Sequence, residues 1–299
     1  MKFRELIHTE KDIAFIIGNG INRYPNNPNA LSWEELLLKL WHQFSPEAYK
    51  FVPKGITITE FYDLLDLASI DSTAHPFQIQ KKVSRLLKDW QPLDHHTSFV
   101  KWAERHNAPI LTTNFDRTLS SLPSLRQFRF KAPFTDFYPW STYFSSHQLR
   151  NPLEGFGIWF INGFVSYHRS IRLGLSHYMG SIEKARNYIY KGGTRNLFNS
   201  KNRMIWNGAN TWLHILFNKQ LCIFGLGLEE NEIFIRWLLI ERAKYYRKFP
   251  SRRKKAWYIV PKKEKPNEQS SGKMQFLQGI GINLIEAEGY PEIYEEPWQ

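Results

Sequence analysis

Glycines and short polar side chains follow each of four apolar segments of strand length in this chain. In chain order they are Gly18, Asn19, Gly20 and Asn22; Thr113, Asn114 and Asp116; Asn162 and Gly163; and Gly225, Gly227 and Glu229. In an open α/β sheet, ligands bind beyond the carboxyl ends of the strands, at the point where the strand order reverses. The sequence therefore predicts that the four strand ends converge on one crevice.

The turn Gly18-Asn19-Gly20 has two interpretations. Glycine takes positive φ freely and lets another backbone or a ligand come close, so the turn either reverses the chain or holds the phosphates of a ligand. It differs from the G-x-G-x-x-G fingerprint of dinucleotide-binding folds, because position 23 is arginine. Asn114 and Asp116 could likewise hydrogen-bond ribose hydroxyls, hold a water molecule, or close an Asx turn.

Six apolar segments predict strands, and amphipathic segments between them predict helices. The strands are expected at 12–18, 108–114, 157–163, 221–227, 256–261 and 281–287, and the clearest helices at 31–44, 76–90 and 229–248. This alternation predicts an α/β fold with a doubly wound, mostly parallel sheet. We expect one domain over 1–299, with a smaller inserted lobe at about 119–156 and a basic surface loop at 247–273.

The composition limits the classes of protein to which the chain can belong. Its 299 residues include 42% hydrophobic and 16% aromatic residues, which is typical of a folded globule. The single cysteine, Cys222, excludes an internal disulfide and any zinc site that needs two thiolates. No apolar run is long enough to cross a bilayer, and the first residues lack the apolar core of a signal peptide, so we expect a soluble, cytoplasmic protein.

Four motifs, in this order and spacing, resemble the SIR2-like family. They are "FIIGNGINR", "ILTTNFDRTL", "ING…HRSIRLGLSHY" and "IFGLGLEENEIFIRWLLIER", and the resemblance extends from about residue 12 to 245. The chain looks most similar to the branch found in bacterial antiphage NAD⁺ hydrolases. This implies a Rossmann-like NAD-binding domain with a smaller inserted helical or irregular lobe, and cleavage of NAD⁺ to nicotinamide and ADP-ribose. One thiol cannot build the four-cysteine zinc module of protein-deacylating sirtuins, so we expect no metal.

The resemblance also implies roles for individual residues. Asn114 matches the catalytic asparagine that orients the attacking water, and Asp116, its neighbour, would hold the nicotinamide ribose. The implied NAD⁺-binding set is Gly18, Asn19, Gly20, Asn22, Thr113, Gly163, Ser176, His177, Gly225, Gly227 and Glu229. Relatives carry a catalytic histidine directly before the glycine of the third strand, where this chain has Asn162. Either Asn162 takes the place of the histidine, or the position belongs elsewhere in the strand, such as at Phe160.

The difference from the relatives at the catalytic histidine leaves two functions open. The first is an NAD⁺ hydrolase that acts as the effector of antiphage defence by depleting NAD⁺. The second is a catalytically weak module that binds NAD⁺ or ADP-ribose and signals to a partner subunit. An effector of this kind needs restraint, and we expect control by homo-oligomerisation or by a separate subunit such as an ATPase.

The net charge of +12 raises a third possibility. Basic residues cluster at 247–257 and 261–265, where they could hold the phosphates of nucleic acid or an acidic partner. The alternative is a solvated surface, which is the usual role of such a run. The charge therefore gives only weak support for nucleic-acid binding.

Overall fold

A computed structural model describes residues 2–45, 49–69, 77–262 and 268–299. The strands are β1 (Ile13–Ile17), β2 (Ile110–Thr112), β3 (Arg126–Arg129), β4 (Thr142–Ser145), β5 (Ile158–Phe160), β6 (Gln220–Phe224), β7 (Ala256–Pro261) and β8 (Asn283–Ala287). They form one sheet in the order β3-β4-β5-β2-β1-β6-β7-β8. All six strands predicted from the sequence are present in it.

The six predicted strands form the parallel part of the sheet. The chain passes outward from β1 through β2 to β5, and then returns to the other side of β1 to add β6, β7 and β8. Counted along the chain, this is the strand order 3-2-1-4-5-6 of a Rossmann-like fold. The strand order reverses between β1 and β6, and the switch point of the sheet therefore lies at these two strands. The α/β fold predicted from the sequence is confirmed.

The segment 119–156, predicted as an inserted lobe, extends this sheet. It contributes β3 and β4, which pair antiparallel with each other, and β4 pairs antiparallel with β5. The remainder of the segment consists largely of turns and irregular backbone. The sequence did not predict the two strands because all four residues of β4 are buried while β3 is mostly exposed. Neither strand therefore shows the alternation that identifies a half-buried strand.

Helices cover both faces of the sheet. They are α1 (Phe3–Thr9), α2 (Gly20–Arg23), α3 (Trp33–Phe44), α4 (Ile58–Ala68), α5 (Gln78–Lys88), α6 (Asp94–Arg105), α7 (Leu175–Tyr190), α8 (Trp212–Asn218), α9 (Ile233–Lys248), α10 (Glu268–Gly279) and α11 (Pro291–Tyr294). The helix predicted at 31–44 begins with the expected capping box, in which Ser32 and Glu35 each bond the other's backbone N–H. The helix predicted at 76–90 begins at Gln78, and residue 76 lies outside the described residues.

The side chains of β1 divide between two hydrophobic cores. Ile13, Phe15 and Ile17 belong to one core, and Ala14 and Ile16 to the other. Both faces of the sheet are therefore buried, which explains why the strands appear in the sequence as continuous apolar runs. Cys222 of β6 lies in the first core, where burial raises the pKa of its thiol well above its ordinary value.

Candidate functional site

A cavity of about 330 Å³ opens at the carboxyl ends of the central strands. Eight of the residues predicted from the strand ends line it: Asn19, Gly20, Thr113, Asn114, Asp116, Asn162, Gly225 and Gly227. They come from the turns after β1, β2, β5 and β6, the four strands around the switch point. The structure thus brings the predicted strand ends together in one crevice, where ligands of doubly wound folds bind.

The glycines after β1 and β6 let the two turns touch. The N–H of Gly20 donates to the carbonyl oxygen of Gly225 at 2.8 Å, and the N–H of Gly18 donates to that of Phe224 at 3.3 Å. A Cβ on Gly18 would lie 2.5 Å from the carbonyl oxygen of Gly225, whose φ of +65° also favours glycine. Both amides are engaged by the protein in this conformation. The glycines therefore serve the close approach of the two turns, and a phosphate would need other donors.

Asp116 lies at the centre of a buried hydrogen-bond network. Its Oδ1 accepts from the backbone N–H of Thr118 at 2.9 Å and from the Thr118 hydroxyl at 2.5 Å. Its Oδ2 accepts from Nδ2 of Asn22 at 2.8 Å. Burial raises the pKa of Asp116, while these bonds oppose that rise by stabilising the carboxylate. Both oxygens are thus held by protein donors, and the carboxyl group has a fixed position in the cavity wall.

His96 supports this network without lining the cavity. Its Nδ1 accepts from the backbone N–H of Leu93 at 3.1 Å, so Nε2 carries the proton that points to Oδ1 of Asn22 at 3.0 Å. Burial and the neighbouring His95 lower the pKa of His96 to about 3. His96 is therefore a neutral donor that orients Asn22, which in turn orients Asp116.

The two asparagines of the cavity are held differently. Asn114 donates from its backbone N–H to the Thr112 hydroxyl at 3.1 Å and from Nδ2 to the carbonyl oxygen of Gly18 at 3.3 Å. Asn162 is 2% exposed, and its Oδ1 has no hydrogen-bond partner within the described chain. The same is true of Nε1 of Trp33, another residue that lines the cavity. An acceptor and a donor are therefore buried without partners in residues of the cavity wall.

Several predicted residues lie behind or beside the cavity. Asn22 is buried beneath Asp116, and Gly18 lies at the contact between the two turns. Phe160 packs between Phe144 and Phe164 with ring centroids 5.9 and 4.4 Å away, so its side chain belongs to the core. Gly163 adopts a φ of +107° and passes closely under the backbone of Ser170. These residues shape the site without lining it.

The predicted NAD⁺-binding residues of α7 have structural partners instead. Nδ1 of His177 accepts from the backbone N–H groups of Leu173 and Gly174 at 3.2 and 3.3 Å, which caps the helix. Burial, together with the charge of Arg172, lowers the pKa of His177 to about 4, so the ring is neutral. Ser176 donates to Asp63 of α4 at 3.0 Å. Neither residue lines the cavity, since α7 turns them toward α4 and α5.

Glu229 also lies outside the cavity lining. Its carboxylate forms an ion pair with Nζ of Lys273 at 2.7 Å, which ties the turn after β6 to α10. Lys273 additionally donates to the carbonyl oxygen of Gly227. The pair fixes the path of the turn that carries Gly225 and Gly227.

About half of the cavity wall was not predicted from the sequence. The missed residues come mostly from loops and helices and are Arg23, Leu31, Ser32, Trp33, Leu36, Leu87, Trp90, Phe115, Leu226 and Glu232. The capping box at Ser32 placed α3 correctly, but nothing in its pattern distinguished the face at Trp33 and Leu36 from ordinary core. Arg23 could have been predicted as a site residue, because it is an arginine that follows the first glycine turn.

A second cavity of about 480 Å³ adjoins the first. Gly20, Arg23 and Leu31 line both. Its wall includes the rings of Tyr24, Tyr290 and Tyr294, of which Tyr290 is 54% exposed. Arg23 is therefore a charged side chain shared by the walls of both cavities.

Within the part of the chain that the structure describes, no three His, Cys, Asp or Glu side chains are grouped so as to hold a metal ion. No described helix combines the length and apolar character needed to cross a membrane. The basic run 247–265 is described only to residue 262, and within it Arg252 and Lys254 are engaged by backbone carbonyls and by Asp12 respectively.

Comparison with models of known protein families gives no match, and comparison with curated protein sequences gives none either. The resemblance to the SIR2-like family therefore rests on the four motifs quoted above.

Proposed function

We propose that the chain binds NAD⁺ in the crevice at the ends of β1, β2, β5 and β6 and hydrolyses the bond between nicotinamide and ribose. Its biological role would be that of the branch it resembles, depletion of NAD⁺ as the effector of antiphage defence. The observation that carries the proposal is the convergence of Asn114, Asp116 and Asn162 on one cavity at the switch point of a Rossmann-like sheet.

The unpartnered acceptor on Asn162 supports a ligand with an N–H donor at this place. Leaving a buried acceptor unpaired costs about 1–3 kcal/mol, so a native fold that keeps such a group marks it as a candidate for a functional role. The carboxamide of nicotinamide supplies an NH₂ donor for Oδ1 of Asn162 and a carbonyl acceptor for a donor such as Nε1 of Trp33. Because both atoms are covered by protein, each side chain has to turn toward the ligand to form these bonds, and both groups then gain partners.

The dimensions and the charge fit a dinucleotide. Ligand pockets are typically about 300–1,000 Å³, and the first cavity alone is at the small end of that range. The adjoining cavity provides room for the remainder of the ligand, with tyrosine rings on which a base could stack. Arg23 lines both cavities and is an exposed cation, so it replaces the engaged glycine amides as the expected donor to the pyrophosphate.

Cleavage of NAD⁺ requires modest assistance from the protein, because the leaving group is neutral. Cleavage expels neutral nicotinamide from a cation, and positive charge develops at C1′ of the ribose as the bond breaks. A carboxylate held by three protein donors, as Asp116 is, stabilises that charge without reorganising. Asn114, held by Gly18 and Thr112, would fix the attacking water on the ribose.

The experiment is to incubate the purified chain with NAD⁺ and quantify nicotinamide and ADP-ribose by chromatography. We expect both products in equal amounts, and a rate about 10²–10³-fold lower for Asn114→Ala, the size of effect seen when one positioned donor is lost. Asn187→Ala, a change on α7 outside the cavity, is the matched control and should retain the wild-type rate. Unchanged NAD⁺ together with no NAD⁺ binding in calorimetry would refute the proposal.

One observation favours the second candidate, a binding module without turnover. None of the described residues that line the cavity is a histidine, the group that relatives use as catalytic base. Loss of general-base assistance typically slows a reaction about 10²–10⁴-fold while leaving binding intact. Tight NAD⁺ binding in the same calorimetric experiment, with no nicotinamide released over hours, would select this candidate.

A further inference from the structure

Glu232 occupies the last position before α9 and lines the first cavity. Its backbone N–H donates to the carbonyl oxygen of Glu229 at 2.9 Å, so the turn after β6 fixes the position of its main chain. The residue is partly buried. In the described part of the chain its carboxylate accepts no hydrogen bond and forms no ion pair, in contrast to Glu229 one turn earlier, which pairs with Lys273.

The other charged groups of the cavity wall are held by protein donors or carry a permanent charge. Asp116 has both oxygens engaged by Thr118 and Asn22. Arg23 is a permanent cation. Among the described residues that line the cavity, Glu232 is therefore the carboxylate whose oxygens accept no hydrogen bond from the protein.

We propose that Glu232 is the catalytic base of the reaction, and the proposal rests on the NAD⁺ hydrolysis proposed above. As the C1′–N bond breaks, its electron pair leaves with neutral nicotinamide. The oxygen of a water molecule forms the new bond to C1′, and one proton of that water passes to the Glu232 carboxylate. The proton is later released to solvent, so the products are nicotinamide, ADP-ribose and one H⁺.

The surroundings of Glu232 suit this role. Burial, and secondarily the negative charge of Glu229, raise the pKa of Glu232 to about 7. Among the described residues, the other titratable groups whose pKa responds to its charge are the phenols of Tyr178 and Tyr258, which stay neutral because burial raises the pKa of both. A base is most effective when its pKa lies near the operating pH, because it is then both ionised and basic enough to take the proton.

The test is the pH dependence of nicotinamide release by the full-length chain with saturating NAD⁺. For the wild type we expect kcat to rise about tenfold per pH unit below pH 7 and to level off above it, as for one essential deprotonated group. Glu232→Gln keeps the shape of the side chain but cannot accept a proton. Its kcat should fall about 10²–10⁴-fold and lose the ascending limb, while KM changes by less than about threefold.

Two further variants separate catalysis from folding. Glu232→Asp keeps the carboxylate and should recover part of kcat together with the ascending limb. Glu230→Gln changes an exposed carboxylate in the same turn that does not line the cavity, and should match the wild type in kcat, KM and pH profile. Should Glu232→Gln fail to fold, the wild-type profile decides the matter, because a flat profile between pH 5.5 and 8.5 excludes a base titrating near 7.

The failure of this inference is distinct from that of the proposed function. A wild type that binds or ignores NAD⁺ without releasing nicotinamide refutes the proposed hydrolysis and this role with it. A wild type that releases nicotinamide, while folded Glu232→Gln keeps the same kcat and pH profile, refutes the role of Glu232 alone.

Discussion

The backbone N–H of Gly20 donates to the carbonyl oxygen of Gly225 over 2.8 Å, and this bond joins the two turns between which the chain changes its direction across the sheet. The turns meet backbone to backbone, and the hydroxyl of Tyr294 lies against both Gly20 and Gly225. The crevice beside this contact is therefore fixed by main-chain geometry, and a ligand has to be recognised by the side chains around it.

Gly18→Ala should destabilise the fold. Its Cβ would lie 2.5 Å from the carbonyl oxygen of Gly225 and 2.7 Å from Cα of Leu226, and both are backbone atoms that cannot rotate away. We expect the free energy of unfolding in urea to fall by about 1–3 kcal/mol, as for overpacking elsewhere. Gly272→Ala is the control, because Gly272 lies in open space on α10 and alanine favours a helix. Equal stability of Gly18→Ala and the wild type would contradict the close approach of the turns.

Asn162→Leu should weaken the binding of NAD⁺ without lowering the stability of the fold. Oδ1 of Asn162 has no partner in the described chain, so its replacement by an apolar group of similar size removes an unpaired buried acceptor. We expect the free energy of unfolding to stay equal or to rise by up to about 1 kcal/mol. Calorimetry should show NAD⁺ binding weakened at least about tenfold, which corresponds to about 1.4 kcal/mol. A strong loss of stability would mean that Asn162 serves the fold and not a ligand.

Arg23→Gln should weaken the binding of NAD⁺ selectively. A charged hydrogen bond contributes about 1.5–3 kcal/mol, so we expect Kd for NAD⁺ to rise roughly 10–100-fold. Nicotinamide riboside has no phosphate, and its Kd should change little. Lys39→Gln on α3 removes the same charge from an exposed position outside both cavities and serves as the control. If the two ligands lose affinity equally, Arg23 does not contact the pyrophosphate.

The buried histidines make the fold sensitive to acid. The pKa of His96 is about 3 in the folded chain, against an ordinary value of 6.5, so below pH 6.5 the unfolded chain binds a proton that the folded chain does not. The neutral His96 therefore costs no stability above pH 6.5, and it lowers the free energy of unfolding as the pH drops toward 3, by about 1.4 kcal/mol per unit for each such group. His177 and His214, both with a pKa of about 4, add to the effect.

His96→Gln should reduce this acid sensitivity by the share of one histidine. Urea unfolding at pH 7.5 and pH 4.5 should show a loss smaller than that of the wild type by up to about 3 kcal/mol. The raised pKa values of Asp116 and Glu232 act in the opposite direction, but they are common to both proteins. An unchanged difference between the two pH values would show that His96 is not held neutral.

The sequence by itself determined the parallel part of the sheet and the strand-end half of the site. Apolar runs bounded by glycine and short polar residues placed all six parallel strands, because a strand buried on both faces needs such a run. The rule that parallel strands present their carboxyl ends at one edge then brought Asn114, Asn162 and Gly225 to one cavity. The first step depends on local residue patterns, which the sequence contains. The second depends on a general rule of sheet geometry that applies once the strands are placed.

Only the tertiary structure decided which polar groups serve the fold and which remain free. Asn22 and Asp116 are 94 residues apart and hydrogen-bonded, whereas His177 caps its own helix, and no local pattern distinguishes these outcomes. Glu232 differs from Glu229 in having no cation within reach among the described residues. The availability of a side chain depends on which distant atoms surround it after packing, so only the folded coordinates determine it.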